Sequence, residues 1–130
     1  MRHVEIPVSA GELVDKITIL EIKAERITDA AKNANVRREL AALDAVLAPL
    51  MREQPALAEL KTALREINEA LWRIEDDIRD CERRKDFGAR FIELARAVYR
   101  TNDRRAAAKR EIDTLVGSEL VEEKSYTTYE

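Results

Sequence analysis

Residues 55–85 read PALAELKTALREINEALWRIEDDIRDCERRK. Leu57, Leu60, Leu64, Ile67, Leu71, Ile74, Ile78 and Cys81 recur at intervals of three and four without a fault. That spacing lines one face of a helix and makes a heptad, coiled-coil-like seam. Pro55 suits the start, and the run predicts one helix of about 45 Å at 1.5 Å per residue. An apolar seam of that length needs a partner of similar length to cover it.

The partner follows directly in the chain. The frame is lost over Glu82, Arg83, Arg84, Lys85 and Asp86 and resumes out of phase at Phe87, Phe91, Leu94 and Val98. A turn near Gly88, with Asp86 as a candidate N-cap, folds a fourth helix back antiparallel to the third. A continuous helix with a phase slip is the alternative. The fourth helix should run past Ala106 to Ile112 and Leu115, and Gly117 is placed to end it.

Upstream, Ser9 and Glu12 read as a capping box that opens helix 1. Its seam is Leu13, Ile17, Leu20, Ala24 and Ile27, while Val14, Ile19 and Ile22 lie off that seam. A helix apolar on two sides is either central in a bundle or part of a subunit interface. The β-branched run 17–19 also permits a strand, but the capping box and the seam favour a helix. A polar break over 29–35 precedes helix 2, whose seam is Val36, Leu40, Leu43, Leu47 and Leu50. Pro49 and Pro55 should end or kink it near Ala48. The expected fold is all-α: one domain over 1–130, an antiparallel helical bundle with a long helix 3/helix 4 hairpin, a short N-terminal extended arm (1–8) and a polar tail (118–130). The two-sided helix 1 and the long seam of helix 3 suggest a homodimer.

Composition narrows the class. Of 130 residues, 38% are charged and only three are Gly and three Pro, which is the make-up of a helical bundle rather than a disordered chain. The formal charge of −3 gives no general attraction to nucleic acid. No apolar run approaches a membrane span and no secretory signal opens the chain, so a cytoplasmic protein is expected. Cys81 is the only cysteine and reads as a packed thiol of a reducing compartment. With one His, no nucleophile beside it and no Gly-rich phosphate loop, neither a triad nor a cofactor is expected.

One stretch breaks the pattern. Between Val98 and Ala106 the seam calls for apolar residues and finds Tyr99, Arg100, Thr101, Asn102, Asp103, Arg104 and Arg105. Polar groups in an apolar seam need partners, and such local conflicts often mark functional sites. Arg96, Arg100 and Arg104 are spaced one turn apart, as are Arg105 and Lys109. Tyr99, Arg100, Asn102, Asp103, Arg104, Arg105 and Lys109 are therefore the candidate ligand-binding residues. Guanidinium forks suit a phosphate or carboxylate held in a cleft against Asp15, Lys16 and Glu21 of helix 1. The bland alternative is a solvated face paired with carboxylates of helices 1 and 3. A second set, Glu66, Glu69, Glu75, Asp76, Asp77 and Asp80, could hold magnesium only across two helices. Interleaved arginines make ion-paired surface the better reading, so no metal site is expected. Trp72, beside the seam, suits packing better than ligand stacking.

Two strings, IPVSAGELVDKITILEIKAERI (6–27) and ERRKDFGARFIELARAVYRTNDRRAAAKREI (82–112), with GSELVEEKSY (117–126), resemble a family of small uncharacterised bacterial proteins, a domain of unknown function. The resemblance implies a bacterial cytoplasmic protein and hints at sugar-phosphate ligands, but it transfers no catalytic residue. Two functions are thus in play: a non-enzymatic interaction or scaffold protein, or a binding protein or enzyme for a small anionic metabolite, a phosphorylated sugar or nucleotide, on residues 99–109. Nothing in the sequence assigns a reaction.

Overall fold

The computed structural model describes residues 2–129. They form four helices, α1 (Ala10–Arg26), α2 (Ala30–Glu53), α3 (Leu57–Arg83) and α4 (Ala89–Val116), and no strand among the described residues. No helix is long and apolar enough to cross a membrane.

Each boundary has a local cause. Ser9 Oγ accepts from the Glu12 amide at 3.1 Å and starts α1. The other half of the expected capping box is missing, because the Glu12 carboxylate reaches across to Lys109 at 2.8 Å. α2 begins at Ala30 rather than Val36: the Asp29 carboxylate accepts from the Lys32 amide at 2.9 Å. Asn33 is no breaker either, since its amide donates to the Ala24 and Ile27 carbonyls at 2.8 and 3.0 Å and so closes the α1–α2 corner. α2 also continues through Pro49 to Glu53 instead of ending near Ala48. Proline at that point forfeits one helical hydrogen bond, and Leu47, Leu50 and Met51 around it pack on the core.

The α3–α4 turn ends α3 with a Schellman pair: the Asp86 amide donates to the Cys81 carbonyl at 2.9 Å, and Lys85 takes the left-handed conformation at φ 57°. Asp86 does not cap α4. Gly88 is the N-cap, and the Asp86 carboxylate accepts from the Gly88 amide within the turn at 3.2 Å. At the far end the left-handed Gly117 (φ 76°) closes α4, its own amide and that of Ser118 both donating to the Asp113 carbonyl at 2.9 Å.

α1 packs against all three other helices, so most of its apolar surface is covered within the chain. Of the off-seam residues, Val14 and Ile22 are as buried as Ile17 and Leu20 on the seam, while Ile19 is half-buried. The core gathers at one end of the molecule: Leu13, Val14 and Ile17 of α1, Leu47 of α2, Leu57 and Leu64 of α3, and Ile112 of α4. Farther along, α3 and α4 go on as a pair. Cys81 and Leu94 stay buried between them, Phe87 meets Phe91 edge-on at 5.3 Å between centroids, and Arg90 reaches Asp77 at 3.3 Å. The described part of the tail has no regular structure and runs back along α4.

Candidate functional site

The 3.6-residue period of α4 sends the basic strip in three directions. Thr101 and Lys109 are buried, and Asn102 and Arg105 are half-buried, against α1 and α3. Tyr99 and Asp103 point to the tail: the Tyr129 hydroxyl donates to Asp103 at 2.6 Å, and the Tyr99 and Tyr129 rings meet edge-on at 5.1 Å. Arg100 and Arg104 are exposed, with Arg96 one turn before them. Among the described residues these three enter no ion pair.

The inward group is organised around a carboxylate. Asp15 is 2% exposed and takes both arms of the Arg105 fork, at 2.9 Å from Nε and 2.6 Å from a terminal nitrogen. Asn68 Nδ2 donates to Asp15 Oδ1 and to Thr18 Oγ1, both at 2.9 Å, while the Thr18 hydroxyl donates to the Asp15 carbonyl at 2.8 Å. The hydrogen bond to Asp15 holds the Arg105 pKa above its ordinary value despite the opposing effect of burial. Asp15 is the buried member and Arg105 keeps 30% of its side chain exposed, so removing Arg105 strands the buried carboxylate and costs about 3–5 kcal/mol. Of the three α1 residues expected to face the strip, only Asp15 does. Lys16 pairs with Glu39 at 2.9 Å, and Glu21 pairs with Lys61 and Arg65 of α3.

A second knot lies one turn along. The Gly11 amide donates to the Asp113 carboxylate at 2.7 Å, and the Ala10 amide to Ser118 Oγ at 2.9 Å. A Cβ at Gly11 would collide with the Lys109 carbonyl oxygen, so glycine is what lets α1 approach α4 this closely. Lys109 Nζ sits between Glu12 at 2.8 Å and Glu122 of the tail at 2.7 Å. Burial pulls its pKa down, and the two carboxylates overcome that and hold it above its ordinary value. The Lys109 contact in turn holds Glu122 below the usual carboxylate value.

Beside Asp15 the three helices leave an open cleft of about 460 Å³. Ile19, Ile22, Leu71 and Trp72 form its apolar wall, and Asn68, Asn102 and Arg105 its polar one. Arg26 lies over the Trp72 ring, 5.8 Å from the centroid, so the indole is half-buried wall rather than core. A larger open concavity of about 1040 Å³ lies between the tail and Tyr99 and Asp103.

The other candidates fall into ordinary roles. Glu69 pairs with Arg26, Arg65 and Arg73, Glu75 with Arg79, Asp77 with Arg90, and Asp80 with Arg83 and Arg84. Among the described residues no three His, Cys, Asp or Glu side chains are grouped to hold a metal ion. Cys81 is buried between α3 and α4. His3 faces Glu5 in the exposed arm. The residues that the spacing of α4 did not name, Glu12, Thr18, Asn68 and Glu122, come from three other segments. Asn68 carried a signal: it is a carboxamide directly after Ile67 on the longest apolar seam.

Compared with curated proteins and with solved structures, the chain matches none. A family of unknown function, DUF6165, matches residues 3–129. With nearly the whole chain covered, from the extended arm through the four helices to the tail, the protein belongs to the DUF6165 family.

Proposed function

We propose that the protein is a non-enzymatic helical interaction protein that docks a partner on the outer face of α4. The observation that carries this reading is the ridge of Arg96, Arg100 and Arg104: three exposed guanidiniums one turn apart, outside every ion pair among the described residues. Arg105 and Lys109, by contrast, are neutralised internally. Successive members of the ridge lie about 6 Å apart along the axis. Carboxylates at i, i+4 on a partner helix match that spacing. Ile92, one turn before Arg96, is 56% exposed and supplies an apolar anchor beside the charges. Interface patches favour this combination of arginine and apolar side chains. A small anionic metabolite, the other ligand class expected of residues 99–109, would have to be held by Arg100 and Arg104, because Arg105 and Lys109 already hold carboxylates.

A photoreactive amino acid at Ile92, in cells that make the protein, tests the reading. A discrete protein adduct that disappears when Arg96→Glu and Arg100→Glu are added supports it. An adduct indifferent to those reversals, or equally abundant from the exposed Val46 position on α2, contradicts it. A homodimer is the second reading, favoured by Phe87 and Ile92, both more than half exposed on the hairpin. Sedimentation velocity separates the two: a dimer that dissociates with Ile92→Glu makes the partner a second copy, and a monomer at every concentration removes that copy.

A further inference from the structure

The arm before α1 carries apolar side chains that nothing in the chain covers. Val4 is 82% exposed, Ile6 71% and Val8 47%. Single exposed apolar residues are ordinary, but a contiguous row of them marks an interaction surface. No helix or turn interrupts residues 2–9, and residues 3–8 make no backbone hydrogen bond among the described residues. His3 lies 3.3 Å from the Glu5 carboxylate, the i, i+2 neighbour on one face of an extended chain. Val4, Ile6 and Val8 alternate with that polar face, and all three are β-branched, as strands prefer. The arm is thus a strand with an apolar face and no partner.

Pro7 decides which edge can take one. In a strand the amide and carbonyl of each residue point to the same edge, and successive residues alternate between edges. Residues 3, 5 and 7 share an edge that lacks the Pro7 amide, which suits it to face solvent. Residues 4, 6 and 8 keep every donor and acceptor on the other edge. That intact edge is self-complementary. An antiparallel two-fold at Ile6 sets Val4 against the partner's Val8, Ile6 against the partner's Ile6 and Val8 against the partner's Val4. Each of those pairs exchanges two backbone hydrogen bonds, and every apolar side chain falls on one face of the ribbon. A slip of one residue sends the second row to the opposite face, and a slip of two leaves one residue of each row unmatched.

We infer that the arm is a dimerisation strand whose partner is the arm of a second copy of this chain, in the register centred on Ile6. The two α1 helices then begin about 27 Å apart at 3.4 Å per residue, which leaves room for both bundles. Apolar cover for the ribbon is at hand: the Ala10 amide donates to Ser118 Oγ at 2.9 Å, so the tail leaves α4 beside the base of the arm, and its Leu120 and Val121 are exposed. The contact is isologous and closes at two copies.

Disulfide trapping in the purified full chain reads the register, because Cys81 is buried and the chain has no other thiol. Ile6→Cys faces its own copy at about 5.5 Å between Cα atoms, within disulfide range. Val4→Cys alone or Val8→Cys alone lies about 14 Å from its own copy and should not cross-link, whereas an equal mixture of the two should. In sedimentation velocity the parent chain should dimerise reversibly. Ile6→Glu, on an exposed side chain that leaves the helices untouched, should raise the dissociation constant tenfold or more, and Ile92→Glu should leave it unchanged. Equal cross-linking of cysteines at 4, 6 and 8 overturns the register. A parent that stays monomeric at every concentration, or a dimer indifferent to Ile6→Glu, overturns the inference. None of these outcomes bears on the arginine ridge, which the photo-cross-linking at Ile92 tests separately.

Discussion

Arg100 and Arg105 sit five residues apart on one helix and lead opposite lives. Arg105 turns toward α1, meets the buried Asp15 and becomes part of the scaffold. Arg100 turns to solvent with Arg96 and Arg104 and has no partner among the described residues. The same side chain on the same helix is structural on one stripe and available for binding on the other. What separates them is the direction of the Cα–Cβ bond and what the next helix offers there. A basic strip read from spacing alone therefore contains two populations, and the comparison between them can be broken experimentally.

The largest effect should come from the inner stripe. Asp15→Ala strands Arg105 and leaves an Asn68 amide hydrogen without its acceptor, and it should cost about 3–5 kcal/mol in urea denaturation. A cost below about 1 kcal/mol would mean that the pair is solvated and the inner stripe no different from the outer. Gly11→Ala should follow, at about 1–3 kcal/mol, because a methyl group there meets backbone that cannot swing aside. If it is neutral, α1 and α4 are not locked at this knot. Lys85→Gly has the opposite sign: it relieves a left-handed non-glycine residue at the hairpin tip and should stabilise the protein by about 1 kcal/mol, with the inner knots untouched.

The smallest effect is the pH response of the tail. Glu122 has a lowered pKa, so its contribution is complete above the ordinary glutamate value and fades as pH falls through the folded one. Lys109 has a raised pKa, so its contribution is complete below the ordinary lysine value and fades as pH rises through the folded one. The tail should thus be held between about pH 4.3 and 10.4 and loosen outside that window. Backbone relaxation of residues 119–128 by NMR reads this, and mobility that is constant from pH 3 to 7 would show that Glu122 does not hold the tail.

Much of the fold was legible because its signals are local. The seam from Leu57 to Cys81, the Ser9 cap and Gly117 at the end of α4 each depend on residues within a turn or two. The errors were local as well. Asn33 looks like a breaker until its amide is seen bonding to two carbonyls at the end of α1, and Pro49 looks like a stop although it forfeits only one bond. The site was harder to read. Spacing grouped the cations of α4 but could not say which stripe is buried, because Asp15, Asn68 and Glu122 lie far from it in sequence or in the tail. Asp15 was expected to face the strip together with Lys16 and Glu21, and its place directly after Val14 and two residues before Ile17 is what sets it apart from them: an acid on an apolar helix face needs a cation.

The most direct test sets the two stripes side by side: urea denaturation of Arg105→Ala and Arg100→Ala under identical conditions. Arg105→Ala should lose about 3–5 kcal/mol because it leaves Asp15 charged and buried. Arg100→Ala should stay within about 0.5 kcal/mol of the parent, as exposed substitutions do. Equal losses, or a larger one at Arg100, would contradict the division of α4 into an inner structural stripe and an outer solvent-exposed stripe.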